Sequence, residues 1–300
     1  MSFPSPAKSA DLWDFVEDAR PQIEQALIEN LPLATARDGA DFNDALRYAL
    51  FPGGKRLRPV LTLLGAEAVG GRASQVLQAA AAVEFVHTSS LIFDDLPCMD
   101  NATERRGQVT LHLRYSEGLA VLAALALMNA SYGLMFDSND LNYRHAITAH
   151  RELVACIGAN GMVVGQTVDL AIGDGSGARA SSDQVRNLKT SALMRLALRL
   201  GAILSGANEK QLSALTCFAE KLGDAYQTID DVLDLSEDEA LAMNGARRAT
   251  FASARGASDA IQRTNQLVAE AKRALTEEFG DSRASRLLGQ LSDYIATRRS

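Results

Sequence analysis

Two clusters of aspartates, each closing an apolar helical run, limit what this chain can fold into. The first is Asp94-Asp95-Leu-Pro-Cys-Met-Asp100, after Ser90–Phe93. The second, about 130 residues on, is Asp230-Asp231-Val-Leu-Asp234, after Leu222–Ile229. Carboxylates are seldom buried unless they are paired or hold a cation. Two such helix ends therefore predict facing walls of one cavity that binds divalent metal. At about 100° per residue, Asp230 and Asp234 share a helix face with Asp231 beside them. An unbroken helix would aim Asp94 and Asp100 apart, but Pro97 interrupts it and lets Asp100 swing back. An all-carboxylate set suits Mg²⁺, which completes its shell with water and phosphate oxygens. The plainer alternative for either cluster alone is a solvated acidic helix end.

The rest of the chain reads as helix. Apolar residues make up 47% of the 300 residues and aromatic ones only 6%, with Ala and Leu abundant, which is the composition of a helix bundle. The expected helices are 10–30 (a second segment starting at Pro21), 40–50, 57–69, 74–96 with Ser74 as N-cap, 109–136, 141–172, 182–206, 208–236, 257–279 and 283–298. Phe51-Pro-Gly-Gly54 is a break, 101–108 a polar loop and 173–177 a turn. Period-two patterning is absent over any useful length. The reading is one all-α domain spanning 1–300.

A formal charge of −7 argues against a nucleic-acid partner. The odd cysteine count, Cys98, Cys156 and Cys217, without metal-type spacing, fits a reduced, cytoplasmic setting. The start lacks a basic segment followed by an apolar one, so no secretory signal is expected. The longest apolar run, Leu119–Met128, is too short for a transmembrane segment.

Metal between carboxylate walls needs an anion, and the chain supplies cations nearby. Lys55, Arg56 and Arg58 follow the Gly-Gly break at a helix start, where anions are favoured. Arg105 and Arg106 follow Asp100, and Lys189 sits mid-helix before Thr190. Guanidinium forks match phosphate oxygens, and Lys acts as a point charge. Any one of these alone reads as a solvated surface cation. Basic loop, acidic helix end, basic loop and second acidic helix together read as a site for a phosphorylated small molecule.

At this point the chain resembles the trans-polyprenyl diphosphate synthases. GGKRLRP (53–59), EFVHTSSLIFDDLPCMDN (84–101), RRG (105–107), GMVVGQTVDL (161–170), LKTSAL (188–193) and YQTIDDVLDL (226–235) are similar to that family's segments, in its order. The resemblance implies a bundle of long antiparallel helices around a deep cavity, usually a homodimer. It implies condensation of isopentenyl diphosphate with an allylic prenyl diphosphate. About three Mg²⁺ (with Mn²⁺ as the alternative) would bridge the allylic diphosphate to Asp94, Asp100 and Asp230, with Asp95, Asp231 and Asp234 as further metal-site residues. Lys55, Arg58, His87 and Arg106 would hold isopentenyl diphosphate, and Arg105 and Lys189 the allylic diphosphate. Thr190 and Gln227 would stabilise the cation, and Gln166 would line the same region. A lone His in an apolar helix is more often a core residue. His87, two turns before Asp94, is assigned to diphosphate by the resemblance.

The chain also departs from the pattern. Phe93 stands where His is common, Ala-Ala-Leu-Ala-Leu (123–127) replaces a Gly-Asp-Ala-Leu segment, and the Gly-Lys elements after Asp234 are absent, with Arg247-Arg248 a remnant. A non-catalytic regulatory subunit and a terpene cyclase therefore stand as alternatives. Ser89 and Ser90, the fifth and fourth residues before Asp94, stand at the length-setting positions; the small Ser89 is expected to leave the cavity open, with Phe85 and Val86 as its floor. The expected product is geranylgeranyl diphosphate, with farnesyl diphosphate as the alternative.

Overall fold

The computed structural model describes residues 10–36, 39–51, 53–137, 142–173, 191–240 and 257–297, and at 230–240 it describes the backbone. Twelve α-helices carry the described residues: α1 (Ala10–Asn30), α2 (Ala40–Leu50), α3 (Leu57–Ala68), α4 (Leu77–Asp95), α5 (Leu111–Arg114), α6 (Glu117–Gly133), α7 (Tyr143–Ile157), α8 (Met162–Gly173), α9 (Ala192–Leu204), α10 (Glu209–Ala240), α11 (Ala257–Phe279) and α12 (Arg283–Thr297). The all-α expectation holds.

Helix α4 is the centre of the bundle. Its run Ala79–Ser89 is buried on every side, as a helix that is apolar all round must be. Four successive alanines, Ala79–Ala82, let α1, α3, α6 and α9 approach it. Glycine does the same between α3 and α9. A Cβ on Gly65 would lie 2.1 Å from the Leu198 carbonyl oxygen, and one on Gly201 would lie 1.9 Å from that of Thr62. Backbone therefore packs on backbone, which only glycine permits.

Local chemistry shifts several expected boundaries. Helix α1 runs unbroken through Pro21, which is exposed. The buried stripe Leu12, Val16, Ala19, Ile23 and Leu27 continues across it; packing of that face outweighs the lost backbone bond. Ser74 does not cap α4. It lies in a 3₁₀ turn, 73–75, and α4 follows Val76 without a side-chain cap. The stretch 109–136 divides because the Ser116 hydroxyl accepts from the Leu119 amide at 3.1 Å and starts α6 anew. The stretch 141–172 breaks between α7 and α8, where the Gly158 amide closes onto the Val154 carbonyl at 2.9 Å. Taken together Tyr143–Ala171 is long and apolar, but the break at 158–161 divides it into two helices of 15 and 12 residues.

The loop after α4 contains an antiparallel hairpin, β1 (Glu104–Arg105) and β2 (Gln108–Val109), rather than loop alone. Arg106 and Gly107 turn it at φ 55° and 76°, the left-handed pair that a two-residue hairpin demands.

Candidate active site

The chain reversal after α4 brings the first acidic cluster together. Leu96 leaves the helix at φ −60° and ψ 152°, as a residue before proline must. The Asp100 amide then donates to the Asp94 carbonyl at 2.9 Å, and the Asn101 amide to that of Leu96 at 3.1 Å. Pro97 thus does what its position suggested. Asp94 lines a cavity of about 360 Å³. Asp95, 5% exposed, turns into a smaller cavity of about 80 Å³ that it shares with Arg105 and Arg106.

Asp95 is held by Arg105 through one carboxylate oxygen. Arg105 Nε and Nη2 both reach its Oδ1, at 2.7 and 2.6 Å. Burial alone would lower the pKa of Arg105. The Asp95 hydrogen bond and the charges of Asp95, Asp94 and Asp100 outweigh it and raise that pKa. Arg105 is therefore the cation of the acidic end.

The second cationic group faces the cavity. Arg58 Nη1 lies 3.1 Å from His87 Nε2, and Arg106 Nη2 lies 3.4 Å from the same atom. Burial, then the charges of Arg58, Arg106, Arg105 and Arg56, push the His87 pKa well below 6.5. This favours the neutral imidazole, whose Nε2 accepts from a guanidinium. Burial also lowers the pKa of Arg58, with Arg106 acting in the same sense and Glu84 and Tyr226 opposing it. Tyr226 belongs to α10, so the helix of the second acidic cluster comes to the cationic pocket of the first. Sequence reasoning assigned Tyr226 no role, although it opens the segment YQTIDDVLDL.

Backbone strain concentrates around this pocket. Arg56, Asn101 and Arg106 are the non-glycine residues at positive φ, 52°, 51° and 55°, among the described residues. Each such residue costs about 1–2 kcal/mol. Strain of this kind gathers where position matters more than stability. Lys55 does not join Arg58, His87 and Arg106. It is exposed, donates to the Tyr294 hydroxyl and lies 5.1 Å from that ring's centroid, because the loop turns its side chain outward onto α12.

Below the charged mouth the cavity is apolar. Leu91 and Phe93 of α4, Met128 of α6, Ile157 of α7, Met162, Val163 and Leu170 of α8, and Leu193 of α9 line it, with Gln166 and Thr167 on one wall. The α4 stripe that faces it is His87, Ser90, Leu91 and Asp94, the i, i+3, i+4, i+7 set of one helix face. Ser89 falls off that stripe. It is fully buried, and its hydroxyl donates to the Ala124 carbonyl of α6 at 2.9 Å. Phe85 is likewise sealed in the core and does not line the cavity. Five residues turn a helix by about 500°, well away from the starting face, so the cavity is lined by Ser90 and Met128 and not by Ser89 or Phe85.

Three expected site residues carry polar atoms that are buried without a protein partner: Arg58 Nε, Gln166 Oε1 and Gln227 Nε2. Such atoms await a ligand or water. Asp230, Asp231 and Asp234 fall on the α10 backbone, with side chains outside the description, and Lys189, Thr190, Arg247 and Arg248 lie outside the described residues. Among the described residues no three His, Cys, Asp or Glu side chains gather to hold a metal ion. Asp94 lines the cavity, and the exposed Asp100 lies close enough for its charge to act on Arg105; carboxylate oxygens are a donor type that fits a hard divalent ion.

A helical bundle around an apolar cavity, with guanidinium and carboxylate groups at its mouth, is the make-up of an all-α isoprenoid diphosphate synthase. The Polyprenyl synthetase family model matches residues 40–245. Geranylgeranyl pyrophosphate synthase 7, chloroplastic, of Arabidopsis thaliana is 36% identical over 88% of this chain and 78% of its own length. The geranylgeranyl diphosphate synthase of Cyanophora paradoxa is 34% identical over 97% of each chain. Among solved structures, the FPP/GFPP synthase of Zymomonas mobilis superimposes with a TM-score of 0.82 at 29% identity, over 96% of this chain and 99% of that one. The geranyltransferase of Legionella pneumophila gives 0.84 at 26% identity, over 96% and 97%. The chain belongs to the polyprenyl synthetase family and is a trans-prenyltransferase.

Proposed function

We propose that this enzyme extends farnesyl diphosphate with isopentenyl diphosphate to geranylgeranyl diphosphate, with Mg²⁺ as its cofactor. The observation that carries the reading is His87 set between Arg58 and Arg106 at the head of an apolar cavity walled by Asp94. Isopentenyl diphosphate sits against Arg58, Arg106 and His87, where the orphaned Arg58 Nε gains an acceptor. The allylic diphosphate lies at the acidic end, and Arg105 turns to it from Asp95. Asp94, Asp100 and Asp230 would hold the ions, and bound Mg²⁺ neutralises the diphosphate and makes it a leaving group. Lys189, Thr190 and Gln227 complete that end by family resemblance.

The apolar wall excludes water from the reacting allylic carbon, so that carbon–carbon bond formation competes with hydrolysis. Gln166 Oε1 offers a dipole without a charge. Among the described lining residues Phe93 is the one phenyl ring, at the mouth beside Asp94. The deeper part holds aliphatic and methionine side chains, and the names of the relatives support the longer product.

Large apolar residues on the outer faces of α5, α6 and α7 support a homodimer: Leu113 54%, Leu122 56%, Leu125 57% and Val154 44% exposed. Leu122→Glu with Leu125→Glu is expected to give monomers in sedimentation. Three free cysteines support a cytoplasmic setting.

Purified protein with Mg²⁺, isopentenyl diphosphate and each allylic primer in turn tests the reading. Geranylgeranyl diphosphate from farnesyl diphosphate is the expected product. A farnesyl end point would shorten the assignment. No turnover with any primer would favour a regulatory subunit, and a cyclic hydrocarbon from the allylic substrate alone a cyclase.

A further inference from the structure

We infer that Arg56, Glu24 and Glu84 form a positioning clamp for the isopentenyl diphosphate seat, holding Arg58 against His87 without touching substrate. The inference rests on the proposed seat of Arg58, His87 and Arg106. Arg56 is 3% exposed and uses its whole guanidinium inward. Nε and Nη2 donate to the two Glu24 oxygens at 2.8 and 3.1 Å, Nη1 to Glu84 at 2.7 Å, and Nη2 also to the Leu50 carbonyl at 2.9 Å.

These partners come from α1, α4 and the end of α2. Arg56 is itself the N-cap of α3, two residues before Arg58. Glu84 precedes His87 by three residues on α4, about one turn. The clamp therefore joins the start of the helix bearing Arg58 to the turn of the helix bearing His87.

Two further observations point the same way. Arg56 is held at φ 52°. A Cβ at Gly53 would lie 1.9 Å from the Arg56 guanidinium carbon, so the glycine is needed where the arginine folds back. A buried ion cluster is a poor way to gain stability compared with apolar packing. What this one gains is direction, since three acceptors at fixed angles admit one placement of a planar fork. Glu84 also offsets the positive charge that Arg58 carries into the interior.

Two variants test this without changing any formal charge. Arg56→Lys offers one ammonium where three directions are needed, and Gly53→Ala pushes a methyl group into the guanidinium. Calorimetric titration of isopentenyl diphosphate into each is expected to show Kd raised about tenfold, that is about 1.4 kcal/mol. The allylic KM and kcat at saturating isopentenyl diphosphate should stay within about twofold of wild type. Glu24→Gln, at the outer rim of the clamp, is expected to raise Kd about threefold with the fold untouched. Folded variants that bind isopentenyl diphosphate as wild type does overturn the clamp. So does a joint loss of kcat and both affinities, the mark of general damage. Wild-type protein that binds none overturns the seat, and the clamp with it.

Discussion

The two ends of the cavity are built on opposite terms. At the head, Arg58, His87 and Arg106 lie within 3.1–3.4 Å contacts, with Arg106 and the neighbouring Arg56 held at positive φ and Arg56 braced by ion pairs to Glu24 and Glu84. At the tail, Met128, Ile157, Met162 and Leu193 define a volume with no directional bond. Phosphate recognition needs angles fixed in advance, because reorganising buried charge during reaction is costly. A hydrocarbon needs only space and dryness, and methionine supplies adaptable space. The head should therefore fail abruptly when altered, and the tail should shift by degrees.

The largest effect is expected at the mouth. Asp94→Ala should lower turnover about a thousandfold or more, since the diphosphate charge loses its main counterweight on that wall. Circular dichroism should show the bundle intact, and ordinary product formation would break the metal assignment. Next comes the split between the two arginines. Arg106→Ala should raise KM for isopentenyl diphosphate about thirtyfold, with a smaller effect on the allylic substrate, and Arg105→Ala should do the reverse. Equal effects on both substrates would merge the two seats into one.

The tail should respond in product rather than rate. Met128→Phe is expected to move the main product toward farnesyl diphosphate and Met128→Ala toward longer chains, with total turnover within about threefold. Chromatography of the hydrolysed products reads this. An unchanged distribution would place the limit elsewhere along the lining.

The smallest effect concerns His87. Its folded pKa lies below the unfolded value of 6.5, so below pH 6.5 the unfolded chain binds the extra proton and the folded one does not. The stability contributed by neutral His87 is full above that pH and is lost as pH falls through the folded pKa. Thermal unfolding between pH 7.5 and 5 should show a shallower decline for His87→Gln than for wild type. Parallel curves would mean that His87 is not held neutral.

The sequence showed the fold class, and the reversal at Pro97, because helical periodicity and proline sterics are local. It did not show α1 running through Pro21, where a continuous buried stripe overrides a local breaker. Nor did it show Ser89 leaving the cavity wall: a count along the chain ignores the angle that each residue adds. The Arg56 cluster had a readable trace. Glu84 is the one charged residue in LQAAAAVEFV, and a buried carboxylate in such a setting requires a cation. Which cation it takes depends on a left-handed turn that no local pattern announces.

The hydroxyl of Ser89 on the Ala124 carbonyl bears on how such an enzyme can diverge. A ring at Ser89, which is fully buried against Ala124, has to separate α4 from α6, so large side chains there are expected to cost stability before they change the product. A change at Met128 exchanges one flexible side chain for another. For this chain, the substitutions that reshape the cavity with least disturbance to the bundle are those at its methionines, while the serine side is bound into the packing of two helices.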